Sequence, residues 1–394
     1  MVNLPRKNLP VIVVNRSIPF ADKVFSQIGK VIALESNEVT KETLQYAEIL
    51  IVRSETRVDE ELLEGSSVRF VGTVTIGTDH IDRDYLHSRG IAFASAPGSN
   101  ANSVAEYIAA GLLTWSGRTG QSLKGKTIGI VGVGNVGSKV VTVANALGMT
   151  PLLNDPPRAR KGADFSFLPL DGLMNADFIT LHVPLTKSGE DATVHLFDKK
   201  RIGQMKRGAV LINTSRGAVA ETGALSAALE SSHLSAAILD VWEKEPHIDR
   251  ELLGRVMVGT PHIAGYSLDG KLNALRMVYE SVCLHLGVHP HWSVVAGAPG
   301  GLSRVHIPAH LDNEQAIAFV VRQAYDIELD DSLLRKASGI VDRRAEQFIK
   351  LRADYRVRRE FTNFEVELDP TRPASVLRNL GFKTVVKEGI KAQR

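Results

Sequence analysis

The stretch TIGIVGVGNVG, residues 127–137, runs an apolar segment into three glycines, Gly132, Gly134 and Gly137, spaced G-x-G-x-x-G. The apolar part reads as a strand and the VTVANALG that follows (141–148) as a helix, so the glycines fall in the turn between them. Glycines there permit the tight reversal, let the backbone approach a pyrophosphate and allow close packing of helix on strand, while the helix N-terminus faces the negative charge. The next strand-like run, TPLLND (150–155), ends in Asp155, about 20 residues on, where a carboxylate binds ribose hydroxyls and repels a 2′-phosphate. The pattern predicts NAD as cofactor. Arg158 close by keeps NADP open, and a glycine-rich turn without a ligand is the alternative for the motif taken alone.

Outward from this motif the same alternation continues. DFITLHV (177–183), AVLINTSRG (209–217), AAILDV (236–241) and VMVGTPHIAG (256–265) follow, each separated by a stretch with helical character. An earlier series comprises VIVV (11–14), VIAL (31–34), ILIVRS (49–54) and FVGTVT (70–75), with FADKVFSQIG (20–29) and TLQYAE (43–48) as amphipathic stretches between them. Alternation of this kind predicts a parallel sheet covered by helices on both faces. SVAEYIAAGLLTWSG (103–117) reads as a long helix passing from one unit to the other, and GVHPHWSVVAGAPGGL (287–302) as a linker rich in Gly, Pro and His. The expected architecture is α/β. It comprises two doubly wound, Rossmann-like lobes with a cleft between them, and a C-terminal α+β domain. The boundaries are a discontinuous lobe at 1–100 and 267–288, a nucleotide-binding lobe at 101–266, a linker at 289–301 and the C-terminal domain at 302–394.

Composition bounds the possibilities. At roughly 150 residues per domain, 394 residues suffice for two or three cores. The 47 basic and 44 acidic residues nearly cancel to a formal +3, so no whole-protein field favours nucleic acid or an anionic membrane. A single cysteine, Cys283, excludes a disulfide framework and a cysteine-rich zinc site, and no metal is expected. With only a five-residue apolar run after the first basic residues and no stretch approaching a membrane span, a cytoplasmic location is expected.

Three ionisable residues follow strand-like runs of the nucleotide-binding series: Arg216, Glu245 and His262. Open α/β sheets place their chemistry at such carboxyl ends. Hydride transfer from a 2-hydroxy acid needs a base for the hydroxyl proton, a carboxylate to orient the imidazole and a guanidinium for the substrate carboxylate. Taken singly, an arginine after a strand is often a surface ion pair and a histidine merely hydrogen-bonded. Together with the glycine motif, the three predict a dehydrogenase. In the earlier series, Arg53 and Ser54 end a strand and could hold a phosphate through charge-assisted hydrogen bonds, with Arg57 a less certain third member and a solvated strand end the alternative.

VGVGNVG, NTSRGAVAETGAL, LDVWEKEP and GTPHIAG, in that order and spacing, resemble the D-2-hydroxyacid dehydrogenase superfamily. ILIVRSETRV (49–58), FVGTVTIGTDHID (70–82), SAPGSNANSVAEY (95–107), NDPPRA (154–159), HIAGYSLDGK (262–271) and AYDIELDDSLLRKASGI (324–340) narrow the resemblance to its erythronate-4-phosphate dehydrogenase family. The resemblance implies NAD-dependent oxidation of 4-phospho-D-erythronate in pyridoxal phosphate biosynthesis by a homodimer joined through the C-terminal domain. It implies Arg216, Glu245 and His262 as catalytic, and Gly132, Gly134, Asn135, Val136, Gly137, Asp155, Val183, Thr214, Ser215, Asp240 and Gly265 as cofactor contacts. Arg53, Ser54, Thr75 and Tyr266 would meet the substrate. The chain departs from the superfamily at GAVAE, with Ala220 and Glu221 where Val-Asp is usual, and in a few extra residues before the first strand.

Two alternatives stay open: a 3-phosphoglycerate or other D-2-hydroxyacid dehydrogenase, which would lack HIAGYSLDGK and the C-terminal domain, and an NAD-sensing protein on the same fold. LRADYRVRREF (351–361), dense in arginine, reads as a solvated helix face, because nearby acids dilute its charge. The alternating FEVELD (364–369) reads as a strand at a subunit interface.

Overall fold

β-Branched runs with no polar break can be buried only if both faces of their sheet are covered, and both large sheets of the chain are built so. The computed structural model describes residues 9–162, 165–292, 302–339, 343–369, 372 and 374–386. It divides into two compact units, Met1–Asn100 with Ser267–Pro299 and Ala101–Tyr266 with Gly300–Arg394.

The first unit holds five parallel strands, β1 (Val11–Asn15), β2 (Lys30–Leu34), β3 (Ile49–Val52), β4 (Phe70–Thr73) and β5 (Ala92–Ala94), in the order β2-β1-β3-β4-β5. Successive side chains point to opposite faces of a strand. Ile12, Val14, Ile49 and Ile51 accordingly meet Leu275, Val278 and Tyr279 of the helix Leu268–Leu286. Val13, Leu50 and Val52 pack on the other face with Leu44, Leu63 and Leu86. Residues 43–48 differ from expectation: they form turns rather than an amphipathic helix. The Thr43 hydroxyl bonds the carbonyls of Glu38 and Thr40 and accepts from the Thr40 amide, offering the backbone a local alternative to a helix.

The second unit holds β6 (Thr127–Val131), β7 (Thr150–Asn154), β8 (Phe178–Leu181), β9 (Val210–Asn213), β10 (Ala236–Leu239) and β11 (Val258–Gly259), ordered β11-β10-β9-β8-β6-β7 and parallel throughout. Ile128, Ile130, Ile212 and Ile238 face one core and Ile179, Leu181, Leu211 and Leu239 the other. Each sheet reverses its strand order once, beside β1 and beside β6. Ligands of open α/β sheets bind at such switch points. The expected long helix spans Ala101–Thr119 and packs against the helices Asn135–Ala146, Asn313–Ala324 and Ile327–Ser338.

The C-terminal segment adds a third sheet, β12 (Ser303–His306), β13 (Phe364–Leu368) and β14 (Lys383–Val386), with β13 central and both pairings parallel. The alternating FEVEL serves the chain's own core. Val366 and Leu368 join Val305, Val320 and Phe361 in one cluster with Ile128 of β6 and Val140 of the helix Asn135–Ala146.

The reading of LRADYRVRREF as a solvated helix face is overturned. The helix Arg344–Ala353 ends inside it, and Arg358 is only 4% exposed. Its guanidinium lies 3.8 Å over the Tyr325 ring, donates to the Ser103 carbonyl at 2.7 Å and to Ala264 at 3.1 Å, and pairs with Glu106 at 3.3 Å. An arginine tolerates burial when its fork is satisfied in this way, so charge density alone does not report exposure. Burial pushes the Glu106 carboxyl up to about 8; Arg358 opposes the rise and Glu360 reinforces it.

Of the expected linker, 293–301 lies outside the described residues, and 289–292 form neither helix nor strand. Among the described residues no helix is long and apolar enough to cross a membrane.

Candidate active site

The glycine turn after β6 has the shape a dinucleotide needs. Gly132 sits at φ +87°, and a Cβ there would come 2.6 Å from the His182 carbonyl oxygen and 2.9 Å from Val183. A Cβ on Gly137 would fall 2.0 Å from the Gly132 oxygen, whereas one on Gly134 would meet nothing within 4 Å. The first and third glycines thus serve packing, and the second leaves open space at the N-terminus of the helix Asn135–Ala146, which begins with Asn135 and Val136. Asp155 Oδ2 accepts from the Val133 amide at 2.8 Å and Oδ1 from Arg158 N at 3.0 Å. The carboxylate therefore props the turn. Arg158 donates to the Val133 carbonyl and lies 5.3 Å over the Phe165 ring. These residues fit NAD.

Neighbouring strands of the same sheet lead to the three residues expected to be catalytic. After β9, Asn213 takes both the Ser215 amide and hydroxyl, at 3.0 and 2.8 Å, and returns its own amide to the Arg216 carbonyl. Gly217 is required next, because a Cβ would lie 1.9 Å from the Trp242 carbonyl carbon. The Thr214 hydroxyl is 3.3 Å from His182 Nδ1, and burial lowers that imidazole's pKa to about 3, so it stays neutral. Glu221 accepts from the Lys199 amide at 3.2 Å, so the departure at Ala220-Glu221 serves a helix start.

After β10 and β11, His262 Nδ1 lies 2.7 Å from Glu245 Oε2, and Glu245 Oε1 accepts from the Trp242 amide at 2.8 Å. Burial alone would raise the Glu245 carboxyl, but the His262 bond and charge, the Trp242 amide and the Arg352 charge hold it below the usual carboxylate range. His262 has φ +59°, a left-handed conformation that costs energy for any residue with a Cβ. Asp240, 1% exposed, keeps it there. Its carboxylate accepts from Ile263 N at 2.7 Å, Ala264 N at 2.9 Å and the Thr260 hydroxyl at 2.6 Å, while its carbonyl takes the His262 amide at 2.7 Å. This role for Asp240, bracing the two amides just before Gly265, is one that sequence reasoning missed. Trp242 and Thr260 were missed too: the Trp242 indole donates to the Thr260 carbonyl at 2.9 Å. Tyr266 accepts from Arg352 at 3.1 Å.

Arg53, Ser54 and Thr75 belong to the first unit. Asn15, at the end of β1, accepts the Arg53 amide at 2.9 Å and the Thr56 hydroxyl at 3.2 Å, fixing the turn after β3. The Arg53 side chain, 19% exposed, places its guanidinium 3.6 Å from Glu55, while Ser54 is exposed. Lys271 of the helix Leu268–Leu286 completes a cationic pair. Burial first and the Arg53 charge second lower its pKa, against the pull of Glu55. Lys271 stands in the quoted HIAGYSLDGK, and nothing in local spacing joins it to Arg53. Arg57 is paired with Asp59 at 2.7 Å and is largely exposed. Thr75 lies 2.7 Å from the Thr73 hydroxyl and donates to Gly77 O at 2.8 Å.

Comparison with known proteins agrees with this geometry. Residues 98–264 match the D-isomer specific 2-hydroxyacid dehydrogenase family, NAD binding domain, and 299–381 match a domain family of unknown function. The erythronate-4-phosphate dehydrogenase of Klebsiella pneumoniae (strain 342) is 42% identical over 95% of this chain and 98% of its own length. That of Salinibacter ruber is 45% identical over 90% and 93%. The chain belongs to the erythronate-4-phosphate dehydrogenase family. Among solved structures, a D-lactate dehydrogenase from Aquifex aeolicus complexed with NAD and lactic acid superposes with a TM-score of 0.58 at 28% identity, covering 70% of this chain and 96% of that one. The family is an NAD-dependent oxidoreductase family, and its nucleotide-binding sheet here is β6 to β11.

Proposed function

We propose that this chain oxidises 4-phospho-D-erythronate at C2 with NAD, giving 2-oxo-3-hydroxy-4-phosphobutanoate for pyridoxal 5′-phosphate biosynthesis. The observation that carries the reading is the 2.7 Å His262–Glu245 pair at the strand ends of an NAD-binding sheet. With Nδ1 engaged by Glu245, Nε2 is the nitrogen left to take the C2 hydroxyl proton. Bound NAD supplies the hydride acceptor. Glu245 stabilises the imidazolium formed, and Arg216 grips the substrate carboxylate by paired hydrogen bonds. Arg53, Lys271 and Ser54 bind the terminal phosphate. The cofactor contacts are the Gly132–Gly137 turn, Asp155, Val183, Thr214, Ser215, Asp240 and Gly265, with Thr75 and Tyr266 at the substrate. The same reading has two copies associate through the C-terminal domain, where Leu329, Leu333 and Val357 stand 44%, 37% and 63% exposed.

The test follows NADH absorbance with purified protein, NAD and 4-phospho-D-erythronate, beside 3-phospho-D-glycerate. A 2-oxo acid is added in a parallel run in case bound NADH does not exchange, and light scattering on the same sample should give a dimer. Turnover on the erythronate phosphate is expected. Preference for phosphoglycerate would move the substrate, and silence on every acid despite tight NAD binding would make the chain a sensor.

A further inference from the structure

The arginine-rich run 351–361 reaches the hydroxy-acid site from a domain to which no function is assigned. Arg352, in the last turn of the helix Arg344–Ala353, donates from Nη2 to the Tyr266 hydroxyl at 3.1 Å, with its guanidinium carbon 5.8 Å from the ring centroid. Tyr355 meets the same ring edge-on, centroids 5.9 Å apart at 80°. Tyr355 is itself fixed by a 2.8 Å hydrogen bond to the buried Asp330. Arg358 donates to the Ala264 carbonyl, two residues before Tyr266, at 3.1 Å. Residues 264–266 are thus held from the C-terminal side by three side chains of one short run, while Asp240 holds 262–264 from the sheet side.

We propose that Arg352 is a positioning residue of the hydroxy-acid site, setting the Tyr266 hydroxyl as a hydrogen-bond donor to the substrate. The proposal rests on the function argued above. A phenol oxygen that accepts from a guanidinium uses its own hydrogen to donate, so it suits an acceptor such as a carboxylate or carbonyl oxygen of the hydroxy acid. The Arg352 charge favours the same partner and is one of the groups, after His262 and the Trp242 amide, that keep Glu245 ionised against burial. The C-terminal domain therefore supplies part of the substrate site.

The experiment uses the full chain, with Arg352→Gln, Arg352→Lys, Tyr266→Phe and the Arg352→Gln/Tyr266→Phe double variant. Loss of a charge-assisted hydrogen bond predicts about a tenfold rise in KM for 4-phospho-D-erythronate in Arg352→Gln. kcat should change far less, NAD affinity should stay the same, and Arg352→Lys should recover part of the loss. Oxalate, an acid that cannot turn over, is titrated calorimetrically into the NADH-loaded protein. Its Kd should weaken about tenfold in Arg352→Gln but not further when Tyr266→Phe is already present. Unchanged KM and oxalate Kd in Arg352→Gln, or the same loss in the Tyr266→Phe background, would overturn the proposal alone. A wild type that binds oxalate with the expected Arg352 dependence yet oxidises no acid would overturn the function and leave the positioning role. A wild type that does neither overturns both.

Discussion

The carboxyl ends of the two large sheets carry opposite kinds of order. Beyond β9 to β11, the carboxylates around His262 are tied down: Glu245 to His262 and Trp242, and Asp240 to three donors of the His262 loop, whose Ala264 carbonyl also takes Arg358. Beyond β1 and β3, Asn15 fixes the backbone, while Arg53 meets Glu55 at the looser distance of 3.6 Å and adds its charge beside Lys271. The difference fits the chemistry proposed for each. A proton-transfer pair must be preorganised, since its geometry decides the rate. An anion site gathers like charges, whose mutual repulsion a bound anion relieves.

The sharpest way to break the tied end is His262→Asn, which keeps a polar side chain but removes the base. kcat should fall by roughly 10²–10⁴-fold with NAD affinity retained. A steady-state rate within a few-fold of wild type would show that the pair is not the proton acceptor.

Arg53→Ala tests the open end and should act on binding. A charge-assisted contact predicts KM for the phosphorylated acid up by roughly 10- to 100-fold with little change in kcat. The control is D-erythronate, which lacks the phosphate and should respond weakly. Equal losses on both acids would move the phosphate elsewhere.

The smallest effect concerns the Glu106 carboxyl buried beside Arg358. An unfolded glutamate gives up its proton near 4.5, whereas Glu106 in the folded chain holds it to about 8. The folded state therefore binds more protons across that window. This stabilising contribution is complete below 4.5 and is lost as pH rises toward 8, at a slope of up to about 1.4 kcal/mol per pH unit. Glu106→Gln should flatten that part of a thermal-unfolding profile without touching the rate. An unchanged slope would mean that Arg358 keeps Glu106 ionised.

Much of this was legible in order along the chain. Parallel strands bury both faces, so VIVV, ILIV and AAIL announce themselves as unbroken apolar runs, and the glycine turn is fixed by contacts within some thirty residues. TLQYAE misled because threonine hydroxyls compete locally with a helix. LRADYRVRREF misled because the partners that make its arginines burial-competent, Glu106, Tyr325 and the Ser103 carbonyl, lie far away in sequence.

The sequence by itself determined the α/β class, the nucleotide motif, the family and the three residue types that a hydride transfer needs, because each is written in local spacing. Only the tertiary structure decided that Glu245 bonds His262 through Nδ1 rather than Nε2, that Asp240 holds the histidine at positive φ, and that Lys271 joins Arg53. It also decided that Arg352 and Arg358 face residues 264–266. Each of these is a contact between distant segments, whose geometry and dielectric are set by packing and leave no periodic trace in the chain.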